Sequence, residues 1–517
     1  MTDPPPITAA DVLWQMAHRH PARPCLTDLD ASGGPRTLTY GQLLERVASV
    51  AGGLRERGLR PGDRVALLLA NGLGYVSAYL GALAAGLVVV PLNVRLVRDD
   101  YLHMLADSGT SLLITTGEFL DRIPELGATS VVRADEEQPG LSGLDRLAAL
   151  GTALAEPVAR RGTDPASLMY TSGTTGSPKA VTLSNDSWCS VAETAIRVLD
   201  MSEDEVTLHV APLTHGAGFL LLPTLMLGGH NLLCASFDAG RALRILDEHR
   251  VTGLFVVPSM IRMMLDARPT GWRLPAALRQ LYYAGSPIDA KTMREATQVF
   301  DGRLVQSFAQ MESPMFFTVL DQNDHRRALA EDSPLVRSAG QVLPGVRLRI
   351  VGDDGQTLPD GQAGEILAGA PQTMTGYWGR PEATREALAD DWLHTGDIGY
   401  LDAGYLYIVD RKKDMIVTGG SNVYAREVEE VLLALPQVKE AAVIGVPHRI
   451  WGEAVTAVLV ADVAEPDSEA VLSGCRSTLA GYRVPKEVIW VDELPRNAYG
   501  KVLKRQLREQ IVAAARP

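Results

Sequence analysis

Short apolar runs rich in β-branched residues recur along the first half of this chain, each followed by an alanine- and leucine-rich helical stretch. From about residue 40 to 270, segments such as Val65-Ala66-Leu67-Leu68-Leu69 and Leu254-Phe255-Val256-Val257 alternate with such helices, and Gly and Pro punctuate the joints. That alternation predicts an α/β fold with a largely parallel sheet. At 517 residues the chain exceeds what one hydrophobic core supports, so at least two domains are expected, with interior enough for a small-molecule pocket. The stretch closest to membrane length, Leu73 to Leu92, is interrupted by Ser77 and three glycines, and Pro91 closes its Val88-Val89-Val90 run. This predicts a buried helix followed by a core strand, not a membrane span.

Between about 335 and 410 the pattern changes to short strands with turn signals. Val346 to Val351 precedes Gly352-Asp353-Asp354-Gly355, and Tyr405 to Val409 follows Asp402-Ala403-Gly404. We read a small β subdomain there, within an N-terminal domain of residues 1–410. After Asp410-Arg411-Lys412-Lys413-Asp414 a new α/β stretch begins, read as a C-terminal domain of residues 411–517. Its expected elements are a Glu-rich helix from Arg426 to Leu435 stopped by Pro436, strands Ala441–Ile444 and Ala454–Ala461, and a basic helix from near Lys501.

The formal charge of -13 excludes a general nucleic-acid binder, which needs basic surface to displace counterions from phosphates. Cys25, Cys189, Cys234 and Cys475 lie far apart, with no CxxC pair and no His/Cys cluster at zinc spacing. They read as reduced thiols of a cytoplasmic protein, and the N-terminal sequence carries no signal-peptide pattern.

The segment richest in chemistry is Tyr170-Thr171-Ser172-Gly173-Thr174-Thr175-Gly176-Ser177-Pro178-Lys179, which follows the strand-like Ala166-Ser167-Leu168-Met169. Glycines let backbone N–H groups approach a polyphosphate, hydroxyls add donors, and the lysine adds positive charge. It is read as a phosphate-binding loop. It is not of the Walker A form, because Ser177 and Pro178 separate Gly176 from Lys179 and no Ser or Thr follows that lysine.

This loop resembles that of the adenylate-forming superfamily of acyl- and aryl-CoA ligases, nonribosomal adenylation domains and luciferases. Six further segments match that family in order. Ala211-Pro212-Leu213-Thr214-His215-Gly216 resembles its substrate-side histidine motif, and Tyr283-Ala284-Gly285-Ser286-Pro287-Ile288 its adenine-side turn. Phe308-Ala309-Gln310-Met311-Glu312 resembles the aromatic-Gly-x-Thr-Glu motif, and Thr395-Gly396-Asp397 with Asp410-Arg411 resembles the ribose-binding pair. Gly419 to Tyr424 resembles the thiol-tunnel loop, and Pro495-Arg496-Asn497-Ala498-Tyr499-Gly500-Lys501 the catalytic-lysine loop. The resemblance implies a large N-terminal domain of two parallel-type sheets with helices plus a small β-barrel subdomain. A small mobile C-terminal α+β domain, hinged near Lys413, completes it.

The implied reaction joins a carboxylic acid to ATP as an acyl-adenylate, releasing pyrophosphate, and then passes the acyl group to coenzyme A. Carboxylate attack on the α-phosphate brings two anions together, so charge must be neutralised in the transition state. By resemblance, Lys501 does this. Glu312 holds Mg2+ against the phosphates, since a hard cation takes carboxylate oxygen. Asp397 accepts the ribose hydroxyls, and Arg411 donates to ribose or phosphate. The nucleotide site would also include Thr171 to Gly176, Lys179, Gly285, Ser286, Pro287, Phe308, Ala309 and Met311. The matching histidine, His215, closes the carboxylate pocket.

The implied acyl pocket comprises His215, Ala217, Phe219, Tyr283, Ala309, Met311, Met315 and Phe316, which suits an aromatic or medium-chain acid. His215 to Phe219 contains no aspartate for a substrate ammonium, which disfavours an α-amino acid. Three motifs depart from the family: Ala180 follows Lys179, Ala309 and Met311 replace Gly and Thr, and Ala425 replaces Pro. Met311 lacks a hydroxyl that helps hold the α-phosphate in most members. For coenzyme A, Gly420, Trp451, Tyr482 and Lys486 align with contact positions of similar aryl-CoA ligases and provide the aromatic faces and cations it needs. Transfer to an amine or to a carrier-protein thiol remains open, as do a noncatalytic nucleotide-binding homologue and a homodimer.

Overall fold

The computed structural model describes residues 8–123, 126–127, 129–135, 143–171, 178–330, 333–496 and 502–514. They form two compact units: Met1–Arg347 with Ala368–Leu393, and Leu348–Leu367 with His394–Pro517.

The first unit contains two sheets. One is seven-stranded, in the spatial order Gly376–Tyr377, Lys179–Ser184, Pro165–Thr171, Val88–Pro91, Arg64–Leu68, Leu112–Thr115 and Ser130–Arg133. Its inner strands pair in parallel. They read as unbroken apolar runs because helices cover both faces, and Val65 to Leu68 and Val88 to Val90 are accordingly buried. The helix Leu73–Ala84 joins two of them and is buried at all but one position, so the Leu73–Leu92 stretch is the expected core helix and strand. Among the described residues no helix is long and apolar enough to cross a membrane. The second sheet has Gly253–Val256, Gln280–Tyr283 and Leu304–Gln310 as parallel neighbours at its centre, with Ser313–Leu320 antiparallel beside them.

In the second unit, Arg347–Val351, Gly364–Gly369, Trp392–Asp402 and Tyr405–Arg411 lie side by side in that order. The turn signal after Tyr400 and Leu401 is realised as a two-residue hairpin, with Asp402 opposite Tyr405. Ala403 (φ 48°) and Gly404 (φ 81°) both take positive φ, as the twist of a tight hairpin demands. Further on, Val438–His448 and Gly452–Ala461 pair antiparallel, and Gly452–Ala461 also pairs with Ile416–Thr418 and Glu487–Trp490. Side chains alternate across this sheet. Val443, Val455, Ala457 and Leu459 pack with Val428 and Leu432 of helix Ala425–Leu433, while Ala442, Ile444, Val458 and Val460 pack with Leu507 of helix Lys504–Ala514. The strands outrun the expected Ala441–Ile444 and Ala454–Ala461 because hairpin pairing continues past the apolar cores of both. The last helix starts at Lys504, three residues after the expected start near Lys501.

Helix Tyr40–Glu56 approaches the segment 143–152 so closely that a Cβ on Gly52 would lie 2.1 Å from the Thr152 carbonyl oxygen. A Cβ on Gly53 would lie 1.8 Å from that of Leu147. Two glycines inside a helix cost stability by themselves, and backbone proximity is what they permit. Gly53→Ala is therefore expected to destabilise the first unit by about 1–3 kcal/mol. Gly74→Ala, at a helical position with nothing within 4 Å, should be neutral or stabilising. Thermal unfolding of the two variants checks the contrast.

Candidate functional site

The candidate phosphate-binding segment lies between two antiparallel strands whose last paired residues are Thr171 and Lys179. Ser172, Gly173, Thr174, Thr175 and Gly176 lie outside the described residues. Thr171 and Gly285 stand at or beyond the carboxyl ends of strands, where open α/β sheets bind ligands, and Phe308 lies two residues before the end of Leu304–Gln310. Gly285 takes φ 91° and, with Ser286 and Pro287, is exposed; a Cβ there would touch only Val257, at 3.8 Å. Phe308 packs on Phe317 at 5.9 Å between ring centroids. The ladder is irregular between Phe308 and Gln310, so Ala309 interrupts regular pairing where the strand meets the turn of Met311 and Glu312.

Glu312 is held from two sides by one neighbouring segment. Its carbonyl accepts the Met374 N–H at 2.7 Å, and its Oε1 accepts the Tyr377 hydroxyl at 2.8 Å. Lys179 Nζ lies 5.1 Å over the Tyr377 ring. Burial first, and then the Glu312 charge, push the Tyr377 phenol well up, so it remains a hydrogen-bond donor. Tyr377 thus links the loop lysine to the candidate metal carboxylate, which sequence reasoning missed. The available signal was Gly376-Tyr377-Trp378, two aromatics directly after a glycine.

Among the acyl-pocket residues, Ala217, Phe219, Met315 and Phe316 are buried. Phe219 stacks on Trp188 at 4.5 Å, and Phe316 on Tyr282 at 5.7 Å. Tyr282 also offers its hydroxyl to Met315 Sδ at 3.8 Å, and its ring meets Phe255 edge-on at 5.3 Å. Phe255 in turn lies under Gly216, where a Cβ would be 2.6 Å from its Cζ. Tyr283 is not in this group. Successive strand residues face opposite sides of a sheet, and Tyr283 turns its hydroxyl to Gln306 and His325, each at 3.0 Å. The neighbouring Tyr282 occupies the position beside Met315 and Phe316. His215 opens the turn Gly216–Leu220, and burial depresses its pKa to about 4.

In the second unit, Asp397 and Arg411 stand opposite each other on paired strands, with Arg411 Nε 3.2 Å from Asp397 Oδ1. Gly396 takes φ 64°, and the Asp397 N–H donates to Thr395 Oγ1 at 3.1 Å. Lys413 sits in the 3-10 turn Lys412–Asp414; desolvation, with some help from Arg411, lowers its pKa. The coenzyme A candidates gather in part. Lys486 Nζ lies 5.5 Å over the Trp451 ring, and the Gly419 N–H beside Gly420 donates to the Trp451 carbonyl at 2.8 Å. His448 stacks on Trp451 at 4.2 Å, a partner that sequence reasoning also missed; the two aromatic rings are three residues apart in one loop. Tyr482 is capped instead by Arg483, at 5.3 Å. Lys501 lies outside the described residues.

Residues 13–378 match the family described as AMP-binding enzyme, and residues 427–501 match the AMP-binding enzyme C-terminal domain. A feruloyl-CoA synthase from Amycolatopsis sp is 40% identical over 494 residues, spanning 92% of this chain and 94% of that one. The o-succinylbenzoate CoA synthetase of Bacillus subtilis, solved with its acyl-adenylate, superposes with a TM-score of 0.85 at 30% identity, over 96% of this chain and 97% of that one. The amide bond synthetase of Marinactinospora thermotolerans gives 0.86 at 28% identity, over 97% and 99%. The chain therefore belongs to the AMP-binding enzyme family, in the acyl- and aryl-CoA ligase branch of the adenylate-forming superfamily. It is an enzyme of the AMP-forming acid–thiol ligase class.

Tyr377→Phe keeps the ring under Lys179 and removes only the donor to Glu312. It should lower kcat/KM for ATP by about tenfold to a hundredfold, the loss of one hydrogen bond to a charged group, with an unchanged melting curve. Pyrophosphate-release kinetics check this. A second expectation concerns acid stability. His209, His215, His230 and His325 are each depressed to about 4 by burial. Above the usual 6.5 these groups are neutral in both folded and unfolded states, but between 6.5 and about 4 only the unfolded chain binds the protons. Stability should therefore fall as pH drops through that window, and Tm measured from pH 7 to pH 4.5 checks the direction.

Proposed function

We propose that this enzyme activates an aromatic or medium-chain carboxylic acid, not an α-amino acid, as its acyl-adenylate and transfers the acyl group to coenzyme A. In the first half-reaction a carboxylate oxygen bonds to the α-phosphorus of ATP and the bond to pyrophosphate breaks. In the second, the thiol sulfur attacks the acyl carbon and AMP departs with the electron pair. The loop Thr171–Lys179 would bind the phosphates, and Gly285, Ser286, Pro287, Phe308, Ala309 and Met311 the adenosine and α-phosphate side. Asp397 and Arg411 would take the ribose. Lys501 would neutralise the charge that grows as the anions meet. His215, neutral at physiological pH, would border the acid as a hydrogen-bonding wall and not as a cation.

Among the described residues no group of three or more His, Cys, Asp or Glu side chains gathers to hold a metal. A lone carboxylate, Glu312, fits Mg2+, which keeps several waters and binds mainly to substrate phosphates. When bound it would supply positive charge to the triphosphate. We also take residues 1–410 and 411–517 as the pieces that move in the cycle, with Lys413 as the pivot. The aromatic and thioether side chains of Phe219, Met315 and Phe316 support a flat or medium-sized acid, as does the feruloyl-CoA synthase among the relatives.

The observation that carries coenzyme A as acceptor is the exposed pairing of Lys486 with Trp451, extended by His448. It offers a stacking face and cationic charge to an adenine nucleotide bearing phosphates. The amide bond synthetase among the structural relatives keeps amine transfer as the second reading. Mass spectrometry of products from a panel of aryl, medium-chain, acetate and long-chain acids, with ATP and either coenzyme A alone or a simple amine alone, separates the two. Aryl- or medium-chain acyl-CoA appearing only with coenzyme A is the expected result. Amide without thioester would move the chain to the amide-forming branch, and turnover of acetate or long-chain acids alone would overturn the substrate class.

A further inference from the structure

Lys504 opens the helix Lys504–Ala514, where the positive end of the helix dipole disfavours a cation. A lysine with no other task would extend into water, yet this one is mostly buried, with Nζ 2.7 Å from Glu429 Oε1. The same oxygen accepts the Val443 N–H at 2.8 Å. Burial draws the Lys504 pKa down, but Glu429 and then Asp410 outweigh it and the net shift is upward. Asp410 is itself fixed: Oδ1 accepts the Arg411 N–H at 2.7 Å, and Oδ2 accepts the Arg426 N–H at 3.4 Å. Glu429 and Arg426 share the helix Ala425–Leu433, so the Lys504 ion pair is joined through that helix to the carboxylate immediately preceding Arg411.

The segment just before Lys504 is equally restrained. Arg496 and Val502 form an antiparallel bridge, and the Leu503 N–H donates to the Pro495 carbonyl at 2.8 Å. Arg496 also bonds to Glu440 on the strand Val438–His448. The residues on either side of 497–501 are thus anchored, one through Arg496 and Glu440, the other through Lys504 and Glu429. The second anchor reaches the strand that ends in Arg411 through the helix Ala425–Leu433, whose Arg426 bonds to Asp410 and to the Ile408 carbonyl.

We propose that Lys504 is a positioning residue of adenylation: its ion pair with Glu429 fixes the chain that follows Lys501 to the helix Ala425–Leu433 and, through that helix, to the ribose-binding strand. This rests on the reading of Lys501 as the lysine of the first half-reaction. Misplacing a reacting group by about 1 Å can cost about a hundredfold in rate, so a buried ion pair three residues from the lysine is worth more to catalysis than to folding. The helix does not depend on it for packing, because Leu507, only 3% exposed, holds it against Ala442, Ile444, Val458 and Val460.

The test uses the full chain with Lys504→Met and Lys504→Arg. Adenylation is read as acid-dependent ATP–pyrophosphate exchange, and thioester formation is read separately from supplied acyl-adenylate and coenzyme A. Lys504→Met should lower the exchange kcat by about tenfold or more while leaving thioester formation within about twofold, and Lys504→Arg should recover most of the exchange rate. If Lys504→Met lowers both half-reactions in step, or neither, or if Lys504→Arg fails to recover exchange, the positioning role is overturned. If the unmodified enzyme shows no exchange with any acid, the ligase reading fails, and the role of Lys504 with it.

Discussion

The first unit is organised by the burial of parallel strands on both faces. Once Val65 to Leu68 and Val88 to Val90 are apolar throughout, neither face of that sheet can carry chemistry. Polar and flexible groups are left with the strand ends and loops, where Thr171 lies, and on the second sheet Gly285 and the turn of Met311 and Glu312 likewise follow strands. Helix Leu73–Ala84, with an almost wholly apolar surface, would be insoluble if exposed, so it commits the chain to a layered interior in which such loops are the natural place for a ligand. The same constraint explains why the residues assigned to the acid are core-like while those assigned to the acceptor are not.

A chain of net charge -13 that handles anionic substrates must place its cations deliberately. Four described cations near the assigned sites have a partner that limits where the charge can go: Lys179 the Tyr377 ring, Arg411 the Asp397 carboxylate, Lys486 the Trp451 ring and Lys504 the Glu429 carboxylate. Two of these partners are aromatic faces, which orient an ammonium without cancelling its charge. Preorganised charge of this kind needs little rearrangement when a phosphate arrives, which is where electrostatic catalysis gains most.

Much of this was legible in the sequence wherever the cause was local. The interruption of Leu73–Leu92 by glycines and its closure by Pro91 foretold a helix and a strand, and Asp402-Ala403-Gly404 foretold a hairpin because its φ angles are set within the turn. Family resemblance carried the pairing of Asp397 with Arg411, 14 positions apart on adjacent strands. What sequence could not supply was the side of the sheet. The choice between Tyr282 and Tyr283 is a one-residue matter of strand parity, and it decides which ring meets Met315 and Phe316. Tyr377 escaped notice because its partners, Lys179 and Glu312, are brought to it only by the fold.

The difference in burial between the two groups of assigned residues bears on how such an enzyme can diversify. Phe219 and Phe316 are structural members of the core, so exchanging them for a new acid perturbs packing throughout the first unit. Trp451 and Tyr482, 37% and 41% exposed, lie outside the core and can be replaced at small thermodynamic penalty. Under selection, a lineage built on this plan can drift among acceptors through a handful of surface substitutions while its repertoire of acids changes slowly, so inheritance of the acid outlasts inheritance of the acceptor.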